Sequence, residues 1–184
     1  MSREPAAAVP DIRGGDALVP KRSAVDAGGT LRQEPIDGVV FRPARPVAHE
    51  AGYATEVLRS DWPGFGRPGQ TYITTTLPGR IRAWGLHRHS TDHLFVAAGL
   101  VKIVVFDGRG GSPTLGRINE FTLSERNPGL VGIPPNLHHG WHNIGDGECI
   151  IISMPERLYD YEGPDTLFLA WDCEAAREII PYRW

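Results

Sequence analysis

At 184 residues, 41% of them hydrophobic, the chain suits one ordinary domain with a buried core and leaves little room for a second. A formal charge of −3 supplies no concentrated surplus of Lys and Arg, which argues against a nucleic-acid partner and for a neutral or anionic small-molecule substrate. Cys149 and Cys173 sit outside any CxxC spacing, and no run approaches the roughly 20 apolar residues of a membrane span, so the expectation is a cytoplasmic protein without disulfides or a membrane partner.

Residues 1–36 mix Pro, Ala, Gly and charges without periodicity, which predicts an irregular N-terminal tail or strap. Residues 37–184 form the expected domain. There the texture becomes short apolar or alternating runs divided by Gly, Pro, Asn and Asp. Strands are expected in chain order at Gly38–Phe41, Ala54–Leu58, Thr71–Thr76, Ile81–His87, His93–Ala97, Val101–Phe106, Ile118–Leu123, Leu130–Ile133, Gly140–Asn143 and Glu148–Ser153. One short helix is expected over Cys173–Ile179, stopped by Pro181. This pattern predicts an all-β barrel or jelly roll.

Six of the seven histidines fall in two groups, His87, His89 and His93 in GLHRHSTDH, and His138, His139 and His142 in PPNLHHGWHN. On an uninterrupted strand His87 and His89 share a face, and His93 opens the next strand toward the same cavity. Asn136 after Pro134-Pro135 tolerates a left-handed turn ahead of His139. By alternation His138 and His142 point away from His139 and are read as wall or surface residues.

These residues resemble the two motifs of the cupins, double-stranded β-helix (jelly-roll) barrels. The first reads His87, His89, His93 and Gly99, and the second Pro134, Asn136, His139 and Asn143. The resemblance departs from the family at His93, where cupins carry Glu, and at Asn136, where they carry Gly. It implies one divalent transition metal held by His87, His89, His93 and His139, and imidazole ligands suit Fe, Mn, Ni, Cu or Zn.

From about Gly38 onward the chain also resembles the dTDP-4-dehydrorhamnose 3,5-epimerase family, itself cupin-like. The residues that carry this are Gly85-Leu86-His87, Val101–Asp107 with Arg109, Ser112–Gly116, Ile133-Pro134-Pro135 and His139-Gly140. The resemblance implies that His87 is the base removing a proton beside a sugar ketone, with Asp172 the candidate for its orienting carboxylate. It also implies a homodimer. The family's acid tyrosine would fall close to Ile151, and its two substrate-holding arginines at Trp84 and Ala51. Tyr159 and Tyr161 lie shortly afterwards and are candidate replacements for that tyrosine. Arg80, Arg82, Trp84, Phe95 and Trp141 are candidate substrate-binding residues.

The leading expectation is therefore a metal-dependent cupin enzyme descended from sugar-nucleotide epimerases. It would act on a small oxygenated substrate by Lewis-acid isomerisation or oxygen-dependent oxidation. The alternatives are a metal-free epimerase using His87, and a non-catalytic small-molecule binding barrel.

Overall fold

The structure, a computed structural model, describes residues 25–27 and 32–184; most of the expected tail lies outside these residues. The chain divides into two compact units, Met1–Gln33 and Glu34–Trp184, and the second is the barrel. Its strands begin with β1 (Val40–Pro43), β2 (Val47–His49) and β3 (Gly52–Ala54). Then come β4 (Tyr72–Thr76), β5 (Ile81–His87), β6 (Asp92–Ala98), β7 (Leu100–Phe106), β8 (Ile118–Ser124) and β9 (Gly129–Ile133). β10 (His138–Asn143), β11 (Cys149–Ser153), β12 (Thr166–Phe168) and α1 (Glu174–Ile179) complete it.

Two five-stranded antiparallel sheets, ordered β1-β9-β6-β11-β4 and β12-β5-β10-β7-β8, face one another as a cupin jelly roll, and β2 and β3 form a separate hairpin. The inner faces alternate as period-two strands require: Leu94 and Val96 on β6, Val131 and Ile133 on β9, and Val101, Ile103 and Val105 on β7 meet Ile151 and Leu137 in one buried core. Both outer faces are covered as well. Phe65, Phe95, Leu130 and Met154 pack on the outside of the first sheet. Ala83, Trp84, Val104 and Phe106 pack on the outside of the second, beneath Ala176, Ile180, Tyr182 and Trp184 of the C-terminal segment.

Several elements differ from the sequence expectation, which held no strand at β2 and so missed the β2–β3 hairpin. Ala54–Leu58 forms no strand of its own beyond Ala54, because Val57 and Leu58 bury themselves against the outer cluster around Phe65 rather than pairing with a sheet. β12 carries no alternating signal over its three residues, all exposed, and is held by pairing with β5, where Thr166 faces His87. The left-handed turn expected at Asn136 is present, with φ of 65°.

Candidate active site

Three side chains converge inside the barrel mouth. His87 ends β5, Asp92 opens β6 and His139 lies on β10, and one ligand-type atom from each falls within 4.8 Å of the others. The two imidazoles stack with centroids 5.5 Å apart. Their Nε2 atoms approach Asp92 Oδ2 at 3.7 Å from His87 and 4.0 Å from His139. Behind them the rings are held in place: Thr166 Oγ1 lies 3.1 Å from His87 Nδ1, and His139 Nδ1 lies 3.1 Å from the Leu137 carbonyl. Since that carbonyl only accepts, His139 carries its proton on Nδ1 and presents a lone pair at Nε2 toward Asp92. Burial is the main influence on His139 and pushes its pKa down; Asp92 opposes this and His87 reinforces it. Asp92 Oδ1 is buried without a hydrogen-bond partner.

The strand register explains which histidines meet. β6 begins at Asp92, and Leu94 and Val96 point inward, so Asp92 shares their face while His93 and Phe95 point outward. His93 is fully buried there, with Nδ1 2.9 Å from the Met154 carbonyl and its ring 5.6 Å from that of Phe65. His89 lies beyond the end of β5 and is exposed; Asp165 Oδ2 accepts from the backbone N–H groups of His89 and Ser90 and pins a turn. The structure thus brings His87 and His139 together with Asp92 and places His89 and His93 elsewhere.

The proposed substrate-binding residues divide similarly. Trp84 is buried on the outer side of β5, 4.9 Å from the ring of Trp184, and Phe95 is buried on the outer side of β6. Neither faces the cavity. Arg82 and Trp141 do share the inner side, because they are paired across β5 and β10 and the Arg82 guanidinium lies 5.7 Å from the Trp141 ring. A bulge makes this possible: between the pairs His139 with Gly85 and Trp141 with Arg82, β5 contains one extra residue, which resets its alternation. Trp141 Nε1 donates to Thr76 Oγ1 at 2.9 Å. Arg80 is exposed at the turn before β5, where its carbonyl accepts from the Asn143 N–H.

A cleft of about 410 Å³ opens beside His87, lined by Gln70, Tyr72, Arg157, Tyr159, Tyr161 and Asp165 among others. Tyr159 and Tyr161 stand on the loop after β11 with ring centroids 5.1 Å apart, and the Tyr159 N–H donates to Gln70 Oε1. Ile151 is fully buried in the inner core, so β11 offers no hydroxyl at that position. Asp172 is exposed ahead of α1, and Thr166 is the side chain in contact with His87 Nδ1.

Sequence reasoning missed Asp92, Tyr72, Thr166 and Arg157. Asp92 was recoverable by counting back in twos from the apolar Leu94 and Val96. Tyr72 lies opposite Ser153 in the β4–β11 register, hence on the same face. Burial and the charge of Asp92 raise its phenol pKa, against weaker opposing effects of Ser153 and Arg82.

The family model for dTDP-4-dehydrorhamnose 3,5-epimerase matches residues 35–177, which span both sheets and every residue of this site. The chain belongs to that family. It is 36% identical over 141 residues to the "probable low-salt glycan biosynthesis epimerase" of Haloferax volcanii, covering 74% of this chain and 89% of that protein. It is 29% identical over 149 residues to a spore coat polysaccharide biosynthesis protein of Bacillus subtilis, covering 81% of this chain and 96% of the relative. Among solved structures, the dTDP sugar isomerase of Desulfovibrio desulfuricans G20 superposes with a TM-score of 0.73 at 29% identity, over 81% of this chain and 92% of that one. This chain is accordingly an enzyme of the sugar-nucleotide epimerase family. No helix among the described residues is long and apolar enough to cross a membrane.

Proposed function

We propose that the protein epimerises a nucleotide-linked 4-keto sugar, with His87 as the base that removes the proton beside the ketone. The observation that carries this reading is the setting of His87. Its Nδ1 is held at 3.1 Å by Thr166, its Nε2 is turned toward the barrel interior, and a cleft large enough for a sugar opens beside it. A base must stand within reach of the proton it removes, and an imidazole anchored at one nitrogen with the other left toward the barrel interior is placed to accept it. Arg157 in the cleft wall supplies a cation for the diphosphate, and the Gln70 and Asp165 side chains supply polar contacts for sugar hydroxyls. The relative from Haloferax volcanii, named as an epimerase of glycan biosynthesis, supports the same reaction class.

One observation favours a second reading, in which a divalent transition metal assists. A carboxylate with an unpartnered oxygen faces the lone pair of His139 inside the barrel, an arrangement that favours a cation between them. His87, Asp92 and His139 would hold such an ion, which would act as a Lewis acid toward the ketone oxygen. Interconversion of dTDP-4-dehydrorhamnose and its epimers, followed by NMR before and after EDTA treatment and dialysis, separates the two. Activity that survives, with no metal found by elemental analysis, is expected of the proton-transfer reading. Activity lost with EDTA and restored by one metal would establish the second.

The family resemblance and the exposed Leu167 and Phe168 on edge strand β12 further support a homodimer. Light scattering at the mass of a single 20.2 kDa chain would remove that expectation.

A further inference from the structure

We propose that Tyr72 is the proton donor of this site, returning a proton to the sugar face opposite His87. This assignment rests on the epimerase reading above and adds the second half of its chemistry. Inverting a carbon next to a ketone takes two groups, one to remove a proton from one face and one to deliver a proton to the other. His87 stands on β5 in one sheet, Tyr72 stands on β4 at the edge of the other, and both line the same cleft.

The inner row of the first sheet shows why the hydroxyl sits on β4. Ile151, where the resemblance sets a tyrosine, is closed into the core. Two residues on, Ser153 has the same facing and is paired with Tyr72 on one side and Leu94 on the other. The phenol position has in effect moved one strand across the sheet, from β11 to β4. Tyr72 and His87 line one cleft, and the charges of Asp92 and Arg82 both act on the Tyr72 phenol. Tyr159 and Tyr161 line the cleft too, but from an irregular loop and packed on each other, whereas Tyr72 is fixed by strand register.

The step balances without any other reactant. The C–H bond beside the ketone breaks, its electron pair forms the enolate with charge on the ketone oxygen, and His87 Nε2 takes the proton. The enolate pair then forms a new C–H bond with the Tyr72 hydroxyl proton, leaving a phenolate beside Arg82. Solvent returns a proton to Tyr72 and accepts one from His87. Burial and the charge of Asp92 hold the phenol above its ordinary range, so it carries its proton at neutral pH.

The test is dTDP-4-dehydrorhamnose in D2O, with inversion and α-proton exchange followed separately by NMR. Tyr72→Phe is expected to lose inversion by about 100-fold while His87-dependent exchange stays within a few-fold of wild type. Tyr72→His, which restores a donor, is expected to recover part of the inversion and guards against a folding defect in the first variant. Tyr159→Phe and Tyr161→Phe, which alter the cleft wall without removing this donor, are expected to keep the wild-type ratio of inversion to exchange. Inversion at the wild-type rate in Tyr72→Phe, loss of inversion in a loop-tyrosine variant instead, or loss of exchange together with inversion in Tyr72→Phe would overturn the assignment and leave the epimerase reading standing. A wild-type protein that neither exchanges nor inverts this sugar would overturn that reading itself, and the assignment with it.

Discussion

Asp92 is the residue whose environment is hardest to reconcile with stability alone. Its carboxylate is buried, one oxygen has no partner, and the nearest groups are two imidazoles at 3.7 and 4.0 Å. A buried charge so weakly compensated costs stability and is retained where chemistry uses it. Asp92→Asn is therefore expected to melt at the same or a higher temperature while losing at least about tenfold in activity; calorimetry and the epimerisation assay check the two halves. Trp84 behaves in the opposite way. It fills the space under Trp184 and Tyr182, so Trp84→Ala should cost about 3–5 kcal/mol in urea unfolding, and Trp84→Phe should leave KM unchanged. His87 and His139 were legible through the family resemblance of the motifs that carry them, and they stand on the neighbouring strands β5 and β10 of one sheet. Asp92 was missed because the cupin motif pointed to His93, one residue on, although alternation from Leu94 and Val96 gives the inner face to Asp92.

At the scale of the elements, the bulge in β5 and the glycine opposite it set the site. Gly140 lets β10 lie close to β5: a Cβ there would come 2.3 Å from the Ala83 Cβ and 2.7 Å from the Arg82 carbonyl oxygen. Gly140→Ala must push these strands apart between His139 and Trp141, and is expected to destabilise by about 1–3 kcal/mol and to lower activity more than a comparable core substitution elsewhere. Denaturant midpoints beside kcat check this. Period-two alternation revealed the central strands β5 to β11, whose inner faces are apolar. It failed within β5, since a bulge reverses facing without any mark in composition: counted from His87, alternation puts Arg82 on the outer face with Trp84, whereas past the bulge Arg82 shares the face of Trp141.

The whole molecule is held by features outside the site. At the β7–β8 connection the Asp107 carboxylate, fully buried, accepts from Arg109 Nε and Nη2, Ser112 Oγ and Thr114 Oγ1, and Arg109 Nη2 also reaches the Asp37 carbonyl. Burial opposes its ionisation, but these hydrogen bonds outweigh burial and hold the carboxyl well below the usual carboxylate range. A carboxyl depressed in the folded state stabilises fully above its unfolded pKa, near 3.9, and that contribution is lost as pH falls toward the folded value. Asp107→Asn should thus cost about 2 kcal/mol at pH 7, and the gap from wild type should narrow in unfolding curves taken progressively below about pH 4. In the sequence this run, DGRGGSPTLG, carried the family resemblance, and the structure gives it an architectural role away from the cleft.

The central claim, that His87 is the base of a sugar-nucleotide epimerase, is tested most directly by incubating wild type and His87→Asn with dTDP-4-dehydrorhamnose in D2O and recording deuterium at the carbons flanking the ketone. Enzyme-dependent incorporation that falls by about 1,000-fold in the variant, with an unchanged melting temperature, is the predicted result. Incorporation that persists in His87→Asn, or its absence in the wild-type protein, would contradict it.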